Sequence, residues 1–227
     1  MKRAFTLLEL IIVIVVIGIL AAVIFPRIGT DSVERAAKDI LEHIRYTQHL
    51  AMVDDKYDPS DPNCYKEYWQ IRFFRRAQAS ADGTTSKWAY AIFSDKNGGS
   101  GYDGNPNATT GEVALDPITK KLLSGGFTIA YSDQRTYKPA AIEETYGITN
   151  VIFSSSCSYY GSKRVVYDPM GRPLKGNPQT YGSLYPTNRI IKQQCTIDFC
   201  FNSTCDKNFT IAINQETGFA YIKSLNP

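Results

Sequence analysis

Residues 5–25 are apolar apart from Thr6 and Glu9, and the short run Met1-Lys2-Arg3-Ala4 precedes them. About 20 apolar residues, rising 1.5 Å each in a helix, match a bilayer core of roughly 30 Å. The chain holds one such run, so it has a single anchor. Lys2 and Arg3 in front of it predict a cytoplasmic N-terminus with the remainder translocated. Charged residues at 21% and hydrophobic ones at 43% of 227 exclude a disordered chain and a polytopic membrane protein. A net charge of +3 is too slight to mark a general nucleic-acid binder, in which basic residues dominate a face.

Glu9 is the residue an ordinary anchor does not explain. A carboxylate in hydrocarbon costs about 2–3 kcal/mol even on insertion scales, and such a group is a functional hypothesis by default. A secretory signal peptide, with Ala21-Ala22 as a weak small-residue cleavage site, leaves Glu9 equally out of place. Cleavage between Ala4 and Phe5 supplies a partner, because the new α-amine at Phe5 is a cation four positions before Glu9. Those positions are one turn apart in a helix. Between staggered subunits, the carboxylate of one chain could neutralise the terminal amine of the next and so set the axial register of a filament.

The run Lys2-Arg3-Ala4-Phe5-Thr6-Leu7-Leu8-Glu9-Leu10 resembles the class III signal peptide of type IV pilins and type II secretion pseudopilins. The resemblance implies that prepilin peptidase cuts between Ala4 and Phe5 and that Phe5 becomes the N-methylated terminus. It also implies that Glu9 guides assembly with other pilins or pseudopilins, and that Gly18 and Pro26 loosen and kink the helix. The family usually has Gly immediately before the cut, where this chain has Ala4. On this reading residues 1–4 are a leader, 5–26 a transmembrane and filament-core segment, 27–53 an amphipathic continuation and 54–227 a periplasmic β-rich domain. The protein would lie in a bacterial inner membrane and then in a filament.

Beyond Pro26, Val33, Ala37, Ile40, Ile44, Thr47 and Ala51 recur at spacings of three and four, the stripe of a packed helix. Glu34, Lys38, Glu42 and Arg45 fall on the other face. One helix from residue 5 to about 53 would be roughly 70 Å long, with Pro26 bending it. From Asp54 the pattern changes to short β-rich runs, expected over 68–74, 87–93, 127–131, 150–154, 163–167, 190–201, 209–214 and 219–222. The predicted fold is α+β: a long N-terminal helix packed on an antiparallel sheet, as in pilins. Tyr167-Asp168-Pro169-Met170-Gly171-Arg172-Pro173 and Ile211-Ala212-Ile213-Asn214-Gln215-Glu216-Thr217-Gly218 resemble strand motifs of GspH/FimT-type minor pseudopilins. Both are also ordinary turn chemistry between strands.

Five cysteines, Cys64, Cys157, Cys195, Cys200 and Cys205, would lie in an oxidising compartment. Neither Cys-x-x-Cys nor a Cys/His zinc pattern is present, which disfavours redox catalysis and structural zinc. The preferred pairing is Cys200 with Cys205 across a turn and Cys64 with Cys157 over a long range. Other connectivities stay open. Gly99-Ser100-Gly101-Tyr102-Asp103-Gly104 fits the dinucleotide pattern by spacing, but Asn105-Pro106-Asn107 follows where a helix N-terminus is needed.

No cofactor is expected. Calcium is the one ligand that the hard oxygens of Asp95, Asn97, Asp103, Asn105, Glu112 and Asp116 would suit, although their spacing is not that of an EF-hand. Arg72-Phe73-Phe74-Arg75-Arg76 offers a small basic and aromatic patch for nucleic acid, against the blander reading of a charged sheet edge. His43 and His49 fall on different helix faces, and no serine-hydrolase or zinc-protease motif occurs. Asp206-Lys207-Asn208-Phe209-Thr210 fits an acidic-extended glycosylation sequon.

The expected function is that of a non-catalytic minor pilin or pseudopilin in a type II secretion or type IV pilus-like filament. Its partners would be prepilin peptidase, other pilins and the inner membrane, with no small-molecule substrate. A DNA-binding minor pilin is the alternative, and an anchored periplasmic enzyme a weaker one. Without Lys2 and Arg3 the charge excess falls from +3 to +1, so much of the apparent basicity belongs to the leader.

Overall fold

The structure, a computed structural model, describes residues 7–76, 86–97 and 101–227, and for 21–31 the backbone alone. Helix α1 spans Leu7–Val53, 47 residues in one element. Its second half follows the stripe read from the sequence. Val33, Ala37, Ile40, Ile44, Thr47 and Ala51 are all buried, together with Ala36 and Leu41, while Glu34, Lys38, Glu42 and Arg45 remain exposed. The helix ends where the Asp54 carboxylate accepts a 2.9 Å hydrogen bond from the Trp69 indole and pairs with Lys56 at 2.5 Å. Asp58 and Asp61 then accept from the backbone amides of Ser60 and Asn63, two residues on, which turns the chain away from the helix.

The β-rich part forms two antiparallel four-stranded sheets. The first has the order β2-β1-β4-β5, built from β1 Gln70–Arg75, β2 Trp88–Phe93, β4 Arg164–Tyr167 and β5 Pro173–Lys175. The second has the order β3-β6-β7-β8, built from β3 Asn150–Phe153, β6 Cys195–Cys200, β7 Asn208–Ile213 and β8 Ala220–Asn226. A short helix, α2 (Ile142–Tyr146), stops at Gly147, whose φ of 81° is the left-handed conformation of a helix C-cap. Helix α1 packs on β7 and β8 and also meets β1 and β4. One cluster therefore joins the helix stripe to side chains of both sheets, among them Ile71, Phe73, Tyr90, Val165, Phe199 and Ile211.

The expected single sheet is thus two, two strand expectations change, and one strand, β5, is additional. Residues 127–131 form no strand. The chain enters them through Gly125, where a Cβ would lie 2.4 Å from the Ala140 carbonyl, and Gly126 at φ 115°, so its backbone wraps over the sheet edge. Of 190–201 only Cys195–Cys200 is a strand, while Ile190 makes an isolated bridge to Leu174 of the other sheet. That crossing hands the chain from one sheet to the next. Strand β5 begins at Pro173, whose missing amide suits an edge position.

The disulfide expectation is corrected in part. Cys157 bonds to Cys195, with Cα atoms 5.3 Å apart, and Cys200 bonds to Cys205 at 4.8 Å. Cys64 is a buried free thiol. Pairing of β3 with β6 aligns Phe153 with Ile197, which carries the turn after β3 to the start of β6 and brings Cys157 to Cys195. Cys64 sits elsewhere, in the 3₁₀ turn Cys64–Glu67 beside the first sheet.

Candidate functional site

The most unusual surface is the N-terminal part of α1. Every large apolar side chain described between Leu7 and Leu20 is exposed, from 46% at Val13 to 77% at Leu7. A monomer in water rarely tolerates a continuous apolar surface of this kind. Glu9 lies in the first helical turn on this arm. A Cβ added at Gly18 would meet no atom within 4 Å. Ala4 and Phe5 lie outside the described residues, as does the side chain of Pro26, so the cleavage site and the kink find no geometry here. Among the described residues no helix is long and apolar enough to cross a membrane, and the span expected over 5–26 extends beyond them.

The far half of α1 is gripped by the domain. Arg45 donates from Nε and Nη2 to the Ala220 carbonyl, at 3.0 and 2.8 Å. One turn on, Gln48 Nε2 donates to the carbonyls of Gly171 and Thr217, at 2.9 and 2.7 Å. These carbonyls belong to the two turn motifs read in the sequence, which the fold brings into direct contact. A Cβ at Gly218, where φ is 67°, would lie 2.4 Å from the Gly171 carbonyl oxygen. The first turn is itself closed by Asp168, which accepts from the amides of Met170 and Arg172 and pairs with the Arg172 side chain at 2.7 Å. On the opposite flank, Tyr146 donates to Asp39 at 2.6 Å. Side chains of one helix therefore bond to segments of both sheets.

His43 has partners that its spacing did not reveal. Its Nδ1 lies 2.5 Å from the Tyr90 hydroxyl and its Nε2 3.9 Å from Asp116. Burial, working against the nearby Asp116 and Asp39 charges, holds its pKa below the usual histidine value, and burial pushes the Tyr90 hydroxyl well above the usual phenol value. Both groups are therefore held in their neutral forms, and the His43 tautomer sets which of the two donates. With both rings buried, this is a polar core network with no access for a substrate. His49 is exposed on the other face.

Four of the carboxylates considered for calcium accept hydrogen bonds from nearby backbone amides. Asp95 accepts from the Gly104 amide at 2.6 Å, Asp103 from Asn105, Glu112 from Asn107, and Asp116 from Thr119. Among the described residues no group of three or more His, Cys, Asp or Glu could hold a metal ion. The dinucleotide-like run has residues 99 and 100 outside the described set, and no helix follows Gly104.

The basic patch expected at Arg72, Arg75 and Arg76 is divided. Arg76 is buried and forms a 3.0 Å ion pair with Glu144 of α2, with Lys87 3.7 Å away on the other carboxylate oxygen. Arg75 is exposed and Arg72 half-buried. Phe74 is buried. It packs edge-on against Phe127, because the loop crossing this sheet covers its second face.

Residues 1–25 match the family model described as the prokaryotic N-terminal methylation motif. No curated protein and no solved structure matches the chain. The motif accordingly supports kinship with type IV pilin-like proteins through the N-terminal arm, while the domain behind it is described by its own geometry.

Proposed function

We propose that the protein is a pilin-like filament subunit, made as a membrane-inserted precursor and processed by prepilin peptidase between Ala4 and Phe5. The observation that carries this reading is the uncovered apolar arm of α1 in a chain whose residues 1–25 match the methylation motif. Such an arm is stable only in lipid or among copies of similar helices. The same helix is locked into the domain by Arg45 and Gln48, as a subunit that bears axial load requires. The role is structural, and the chemistry of processing belongs to the peptidase. Two turn motifs similar to those of GspH/FimT-type proteins support a minor pseudopilin in a secretion or pilus-like filament.

Glu9 is the assembly contact on this reading, and its partner is the terminal amine of a neighbouring subunit. The variant Glu9→Ala is expected to insert into the membrane normally and to be absent from sheared filament fractions. Normal incorporation of that variant would refute the register argument.

A further inference from the structure

A groove of about 610 Å³ opens on the domain surface beside β1 and β4. Five cations line it, Arg72, Arg75, Lys163, Arg164 and Arg189, and no Asp or Glu is among its described lining residues. The sequence separates these residues by more than a hundred positions, and only the pairing of β1 with β4 and the packing of the later loop bring them together. Asp103 and Asp95 act on Arg72 and Arg164 from outside the lining. Burial, and secondarily the neighbouring Arg72 charge, pulls the Arg164 guanidinium down to about 9. Like charges gathered at low dielectric repel one another unless an anion sits between them.

The arginines are held in place before any ligand arrives. Arg164 Nη1 donates to Gln70 Oε1 at 2.7 Å and to Asn177 Oδ1 at 3.1 Å, and its Nε to Ser162 at 3.0 Å. Arg189 lies flat on Tyr159, its guanidinium carbon 3.7 Å from the ring centroid. Its residue is more than nine-tenths buried, and Nη2 donates to the Thr180 carbonyl at 3.3 Å. Arg75 and Lys163 both lie against Trp88, 5.2 and 5.6 Å from its centroid. Their charges therefore stay at the rim of the groove.

Tyr160 completes the arrangement. It is 94% exposed, projects from a left-handed residue at φ 46°, and stands edge-on to Tyr159 with its own faces open to solvent. Cations already cover Tyr159 and Trp88, so Tyr160 is the aromatic surface left for a ligand. Row-like cations combined with an open aromatic face fit phosphates linked to unpaired bases. A duplex would keep its bases stacked away from Tyr160, and a sulfated sugar has no π-face to place on it.

We propose that this groove binds single-stranded nucleic acid, with phosphate oxygens on Arg72, Arg75, Arg164 and Arg189 and one base stacked on Tyr160. The proposal is independent of the filament reading, since none of its residues lies on α1. It shares Arg72 and Arg75 with the patch read in the sequence, and replaces the buried Arg76 by residues far along the chain.

The test is fluorescence anisotropy of labelled (dT)12 with the full chain in neutral detergent micelles. Saturable binding is expected, with an affinity that falls with salt at a slope of roughly −0.7 per neutralised phosphate. Tyr160→Ala, a surface change that leaves the core intact, should weaken binding by about 5- to 100-fold. Arg189→Lys keeps the charge but loses the planar fork, and should also weaken it, with an unchanged melting temperature certifying the fold. If dTMP competes at its own phosphate concentration, the unit recognised is the nucleotide; if only the oligonucleotide competes, it is the strand. Both support the site. Absence of binding would overturn the proposal. So would binding unaffected by Tyr160→Ala, or a size-matched sulfated oligosaccharide or an acidic peptide that binds as tightly as (dT)12.

Discussion

At the scale of single residues, the structure shows which polar groups the fold has committed to its interior. His43 shares a hydrogen bond with Tyr90, and burial holds its pKa below the ordinary 6.5. The unfolded chain therefore takes up a proton at His43 below about pH 6.5 while the native chain resists it, so stability falls as pH drops through that window. Asp95 acts in the opposite sense, because burial raises its pKa to about 6 and the native state binds that proton more readily. Comparing melting temperatures of the native sequence and His43→Gln from pH 7.5 to 5.5 isolates the histidine. The downward trend should be shallower in the variant, by at most ~1.4 kcal/mol per pH unit. Glu144 is a second committed group, since it neutralises the buried Arg76. Glu144→Ala should cost about 3–5 kcal/mol in denaturant unfolding, as removal of one partner strands the other charge. Neither pair was legible in the sequence. His43 and Tyr90 stand 47 positions apart, and Arg76 and Glu144 further still, and local spacing carries no information about such meetings.

At the scale of elements, the helix was the most readable part. A 3.6-residue stripe is a local property, and Val33 to Ala51 occupy the buried face that it named. Six of the expected strands were also legible, though with edges shifted by a few residues. Division into two sheets was not, because strand pairing depends on side chains that meet across long loops. The cysteines show the same limit. The short turn between Cys200 and Cys205 could be read from spacing, whereas Cys157–Cys195 follows from the β3–β6 register. That second bond closes a sequence separation of 38 between two segments that leave the sheet on the same side. Cys157→Ser should lower stability by about 2–4 kcal/mol in the oxidised protein. Denaturant unfolding reads that loss; Cys64→Ser should leave the bonding pattern intact, which peptide mapping under non-reducing conditions checks.

At the scale of the whole molecule, the chain has two unequal surfaces. The domain carries two packed sheets with a basic groove on its face, and the arm presents apolar side chains that no described residue covers. The apolar arm with Glu9 in its first turn was legible because a long apolar run with a carboxylate inside is rare and its physics is simple. The groove was half legible: Arg72 and Arg75 stood together in the sequence, but Lys163, Arg164 and Arg189 joined them only through folding. The central claim is that the arm belongs to a processed filament subunit. The most direct measurement is intact mass and N-terminal sequencing of the protein recovered from its native membrane. The account predicts a mature chain starting at Phe5 with a methyl group on its α-amine. A chain starting at Met1, or one starting near Ala22, would contradict it.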